Sequence, residues 1–159
     1  MREGVFAIKR DIASVVILFM LILLTNLLGM INLSTFYGFK LHFFQIGIFA
    51  AAAFGGPVGG LVAGGFGSIY STIIMSNPYI LIGNIILGVF TGLFYRVSGK
   101  MVVSVLLALL IQLPWLFFSD IVLMKMDVMV VVRIAVALII TDILWATAVK
   151  FGRSLLNNK

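Results

Sequence analysis

The sequence predicts an all-α integral membrane protein: six transmembrane helices in a compact bundle, with both termini cytoplasmic. Three observations predict it. The 159 residues are 63% hydrophobic and 10% charged, with a mean hydropathy of +1.26, whereas soluble domains are about half apolar and about a quarter charged. The apolar residues fall into runs of bilayer length, which lipid forces to be helical because it offers no partner for an open strand edge. Lys and Arg gather at alternate ends of those runs, as the positive-inside rule describes.

The first segment runs from about Ile12 to Asn32. Arg2, Lys9 and Arg10 precede it as in a signal peptide, but it fills a bilayer and lacks a small-residue cleavage site in a polar setting, so it reads as a retained span. The second, from about Leu41 to Phe54, is ended by Gly55-Gly56-Pro57. It is short against the roughly 17–25 residues a span needs, so it is tilted, begins earlier in the 36–40 stretch, or is partly re-entrant. The third runs from Val58 to about Met75 and stops at Ser76-Asn77-Pro78. The fourth covers Tyr79 to about Tyr95, the fifth Met101 to about Phe118 and the sixth Val128 to about Val149. A single membrane domain over residues 1–159 accounts for the chain.

With the N-terminus cytoplasmic, the inner side holds Arg2, Lys9, Arg10, Arg96, Lys100, Lys150, Arg153 and Lys159, and the outer side holds Lys40, Lys125 and Arg133. The net charge of +6 therefore reads as topology, and no nucleic-acid partner is expected. There is no cysteine and one histidine, His42, which excludes disulfides, thiolate sites and His clusters; neither metal nor cofactor is expected. No Ser/His/Asp set or pair of carboxylates lies at membrane depth, so catalysis is not expected. Asp120 and Asp127, on one short outer loop, read as solvated punctuation, Asp127 as a helix N-cap; Asp120 could also cap or face a site.

Residues 49–72 carry small side chains with a period of four. Gly56, Gly60, Gly64, Ser68 and Thr72 form one stripe beside Gly55, Gly59, Ala63, Gly67 and Ser71; Gly88 and Gly92 repeat the device in the fourth segment. Little hydrophobic force acts between helices in lipid, so close backbone approach must supply the attraction, and small residues at every fourth position permit it. A phosphate cradle is the weaker reading, because no Lys-Ser/Thr follows the glycines.

An alanine-rich helix ending in Gly-Gly-Pro, then a glycine-rich helix, an outer turn with Pro, and Ile-Gly-Asn-Ile-Ile-Leu-Gly-Val-Phe-Thr-Gly-Leu-Phe-Tyr-Arg occupy residues 41–96. That order resembles the substrate-binding S components of energy-coupling factor (ECF) vitamin transporters. The resemblance implies a six-helix protein that captures a micronutrient outside the cell. It would then associate with a transmembrane T component and two cytoplasmic ATPases. It also implies a gating role for the loop between the first two helices. Family members often carry alanine-x-x-x-alanine near the inner part of helix one; here Ile17 stands four residues after Ala13, leaving Ala7, Ala13 and Ser14 as a small-residue surface.

The polar residues inside the spans point the same way. At about 1.5 Å per residue, Asn26, Gln45, Asn84, Gln112 and Arg133 lie roughly 6 to 9 Å below the outer end of five separate segments. Singly, each has a bland explanation: Asn and Gln can tie helices together and Arg can extend to the interface. As a layer they fit a small-molecule pocket near the outer surface, with Tyr79 and Trp115 beside it. Tyr37 and Lys40 on the first outer loop, with His42 just beyond, could stack on a ring and pair with an anion, or simply anchor the loop at the interface. With no acid seen in that layer, the expected ligand is a neutral or anionic ring compound, a water-soluble vitamin or precursor, rather than a strongly cationic one such as thiamine. Asp142, about halfway down the sixth segment, needs a partner or a proton; Arg96 is a candidate partner. Two other readings stay open: a small structural membrane protein of the MreD type, and a self-sufficient secondary carrier, although no coupling acid near the site or internal duplication is evident.

Overall fold

The computed structural model describes residues 2–31, 33–34 and 40–157, with side chains at 12–31 and 42–155. Tyr37 lies outside the described residues, and of Lys40 only the backbone is described. The order is α1 (Arg2–Gly29), β1 (Leu33–Ser34), β2 (Lys40–Leu41), α2 (Phe44–Phe66), α3 (Ile69–Ile74), α4 (Tyr79–Ser98), α5 (Met101–Phe117) and α6 (Val128–Asn157). A π-helical turn, Phe118–Leu123, continues α5. The two short strands pair antiparallel, Leu33 opposite Leu41.

The chain is an all-α, multi-pass membrane protein, but five helices, not six, are long and apolar enough to cross a bilayer among the described residues: Ile12–Gly29, Phe44–Ile74, Tyr79–Ser98, Met101–Leu123 and Val128–Leu155. The segments expected separately at 41–54 and 58–75 form one apolar run. Its first part, residues 44–55, is only about 18 Å long, less than the roughly 30 Å of bilayer hydrocarbon.

That run is not straight. Gly56 has φ 63° and ψ −149°, a conformation that glycine adopts without a Cβ penalty, and Pro57 follows with its fixed φ. A Cβ on Gly59 would lie 2.2 Å from the Ala51 carbonyl oxygen, although eight residues of straight helix would separate the two by about 12 Å. Gly47 and Gly67 both press on Thr25 in the same way. The element therefore doubles back at Gly56 into two arms, residues 44–55 and 57–66.

The second arm lies antiparallel on α4 in one continuous register. Gly56 meets Gly92, Gly60 meets Gly88, and Gly64 meets Asn84, each backbone to backbone. The small-residue stripes therefore face each other with no side chain between them, the arrangement that helix association in lipid favours. The first arm lies beside α6, where Arg153 Nη1 donates to the Ala53 carbonyl at 2.8 Å and the guanidinium sits 5.0 Å from the Tyr95 ring centre.

Over its described side chains, Ile12–Gly29, α1 is largely exposed, and it is fastened near its end. Thr25 is fully buried, while Asn26 Nδ2 donates to the Phe66 carbonyl at 2.9 Å and Asn26 Oδ1 accepts from the Tyr70 N–H at 3.1 Å. One asparagine thus bridges the break between α2 and α3. Ile48, Phe49, Leu87, Val105 and Leu109 fill the core between α2, α4 and α5. Successive runs alternate in direction. The α3–α4 turn, the π turn and the start of α6 gather at one end, and the α2 reversal and the residue 98–100 turn at the other.

Candidate ligand-binding cavity

At the end that holds the α3–α4 turn and the π turn, a cavity of about 580 Å³ opens between α4, α5 and α6. Its walls follow from how those helices begin and end. Asn77 accepts from the Tyr79 N–H at 3.0 Å, starting α4, and its Nδ2 donates to Asp120 Oδ1 at 3.0 Å, tying that start to the π turn. Gly83 leaves room for Gln112 and Trp115, whose nearest atoms would lie 3.2 and 3.4 Å from a Cβ there. Trp115 Nε1 donates to the Tyr79 carbonyl at 3.1 Å, which satisfies its one polar atom. α6 enters from the far side, its first turn capped by Asp127, whose Oδ1 accepts from the Met129 N–H at 2.8 Å.

Of the residues expected to meet a ligand, His42, Tyr79, Asn84, Gln112, Trp115 and Arg133 line this one cavity. Asn26 does not; its amide is used in the α1–α2–α3 clasp. Gln45 is fully buried but lies deeper, its Oε1 3.4 Å from the Thr141 hydroxyl. The depth count assumed that all segments start in one plane, whereas Thr141 is about 20 Å along α6 from its start.

Two features of the wall bear on the ligand. Asp120 is not solvated punctuation: it is 4% exposed and lines the cavity, because the π turn carries the helix past Phe118 and turns this side chain inward. Hence the cavity does contain an acid, contrary to the premise of the neutral-or-anionic expectation. Second, Met75, Met124 and Met126 contribute soft, adaptable apolar surface around the rim. Their flanking positions in turn residues were the available signal.

Each amide on the wall has an atom without a partner among the described residues. Asn84 Nδ2 and Gln112 Oε1 are buried and make no hydrogen bond among the described residues. Such groups are costly unless a ligand or water completes them. Both residues border the cavity, although these two atoms are themselves covered. Asp142, elsewhere on α6, is fully buried, and neither of its oxygens has a described partner. Arg96 is not beside it; that guanidinium packs on Gly56 at the α2 reversal.

The fold and cavity define a multi-pass, all-helical membrane protein, consistent with a cell-membrane location. No protein-family model matches the chain, and no curated protein or solved structure gives a significant match.

Proposed function

We propose that this protein captures a small water-soluble compound, a vitamin or vitamin precursor, in the cavity and serves as the S component of an ECF-type importer. The observation that carries the reading is the cavity itself, whose wall brings Tyr79, Asn84, Gln112, Trp115 and Arg133 together from three helices. A volume of about 580 Å³ lies within the range of small-molecule sites, and the mixture of aromatic and apolar wall with a few polar groups is what such sites use. The bias of Lys and Arg toward the opposite end supports an outward-facing mouth, with both termini cytoplasmic: α2 turns back on itself at Gly56, so α1, its two arms, α4, α5 and α6 make six alternating runs. The order of elements in residues 41–96 supports the ECF assignment. Energy would then come from a T component and two ATPases, since the chain has no nucleotide-binding motif, and the chain itself performs no catalysis.

The test is thermal unfolding of the purified protein in detergent against a panel of water-soluble vitamins and precursors. One compound, or one chemical series, is expected to raise the midpoint. A scaffold of the MreD type predicts no shift with any of them, and that outcome defeats the proposal.

A further inference from the structure

The cavity carries charges of both signs, which narrows the solute beyond its size. Asp120 is 4% exposed. Its Oδ1 receives Asn77 Nδ2 and the Ser119 hydroxyl, while no described residue donates to Oδ2. A carboxylate so enclosed needs a donor or a cation to offset its lost hydration. Arg133 borders the same cavity from α6, and no ion pair joins it to Asp120 or to any other described carboxylate. The two charges therefore do not neutralise each other. Trp115, its indole N–H already engaged, offers ring surface on the α5 wall.

We propose that the solute is an amphoteric ring compound. A nitrogen donor, either an amino group or a protonated ring nitrogen, seats on Asp120 Oδ2, and an acidic group faces Arg133. The ring lies against Trp115, bordered by the side chains of Asn84 and Gln112. This deepens the capture reading and rests on it. It also refines the expectation of a neutral or anionic ring compound, whose premise was that the layer holds no acid.

Four benzene-ring probes separate the contributions: para-aminomethylbenzoate carries both groups, para-toluate the acid alone, benzylamine the amine alone, and benzyl alcohol neither. Each is titrated into the full chain in detergent, with binding followed by tryptophan fluorescence. The amphoteric probe is expected to bind about tenfold more tightly than para-toluate, the size of effect a hydrogen bond to a charged group supplies. Asp120→Asn removes that advantage, and Arg133→Gln removes the advantage over benzylamine. Ser119→Ala, which keeps the carboxylate, preserves the ranking. Para-toluate or benzyl alcohol binding the wild-type chain as tightly as the amphoteric probe overturns the inference, as does an unchanged ranking in Asp120→Asn. The wild-type ranking decides the matter even where Asp120→Asn does not fold. Binding without preference for the amine sinks this inference alone. Absence of binding by all four probes, together with no stabilisation by any vitamin, sinks the capture reading as well.

Discussion

Replacing Gly60 by alanine tests the packing that holds the cavity walls in place. A Cβ at this position would lie 1.9 Å from the Gly88 carbonyl oxygen and 2.3 Å from its carbon. Both atoms are backbone, so no rotamer change can make room. Reaching ordinary contact at about 3.4 Å requires the second arm of α2 and α4 to part by about 1.5 Å. Parting by that distance also opens the Gly56–Gly92 and Gly64–Asn84 contacts, because all three lie in one register. Overpacking costs about 1–3 kcal/mol, and an unyielding backbone puts this case near 3 kcal/mol. For a chain of this size that corresponds to a midpoint lowered by about 6 to 12 °C. The assay is thermal unfolding in detergent followed by the fluorescence of Trp115 and Trp145. Gly55→Ala is the control, since nothing lies within 4 Å of its Cβ position. A Gly60→Ala midpoint equal to that of Gly55→Ala would refute the packing argument.

Three further outcomes follow from the same geometry. Asn26→Leu removes the bonds to the Phe66 carbonyl and the Tyr70 N–H and is expected to cost about 2 kcal/mol, read from the unfolding midpoint. Unchanged stability would show that the clasp contributes nothing. Asn84→Leu with Gln112→Leu is expected to abolish ligand-dependent stabilisation while leaving the ligand-free midpoint level or higher, because it replaces buried, unpartnered amides by apolar groups. Because the natural chain has no cysteine, single cysteines report sidedness directly. Ser76→Cys is expected to react with a membrane-impermeant maleimide on intact cells and Ser98→Cys only after lysis, and the reverse pattern would invert the proposed orientation.

The glycine stripes were legible because, between helices in lipid, small residues at every fourth position permit close backbone approach. Gly60 and Gly88 meet as their spacing implies. Asn84, Gln112 and Trp115 were legible because a strong hydrogen-bonding group or an indole inside a span is seldom idle. The level of Gln45 was not legible, since it depends on how far α2 starts below the first turn of α6, and no local pattern records that offset. Asp120 was legible only as an open choice between a solvated or capping residue and one that faces a site; the continued π winding through Phe118–Leu123 places it on the cavity wall. The Asn26 clasp joins positions 40 and 44 residues apart, a pairing that only the folded chain reveals. The count of spans differed because turn residues mark a reversal at Gly56 but do not say whether the arm before it is long enough to cross.

The most direct measurement of the central claim is native mass spectrometry of the purified protein after incubation with pooled water-soluble vitamins and precursors. The account predicts one small-molecule adduct at one-to-one stoichiometry on the wild-type chain, absent from the Asn84→Leu/Gln112→Leu variant. A bare wild-type chain, or an adduct that the double variant retains, would contradict it.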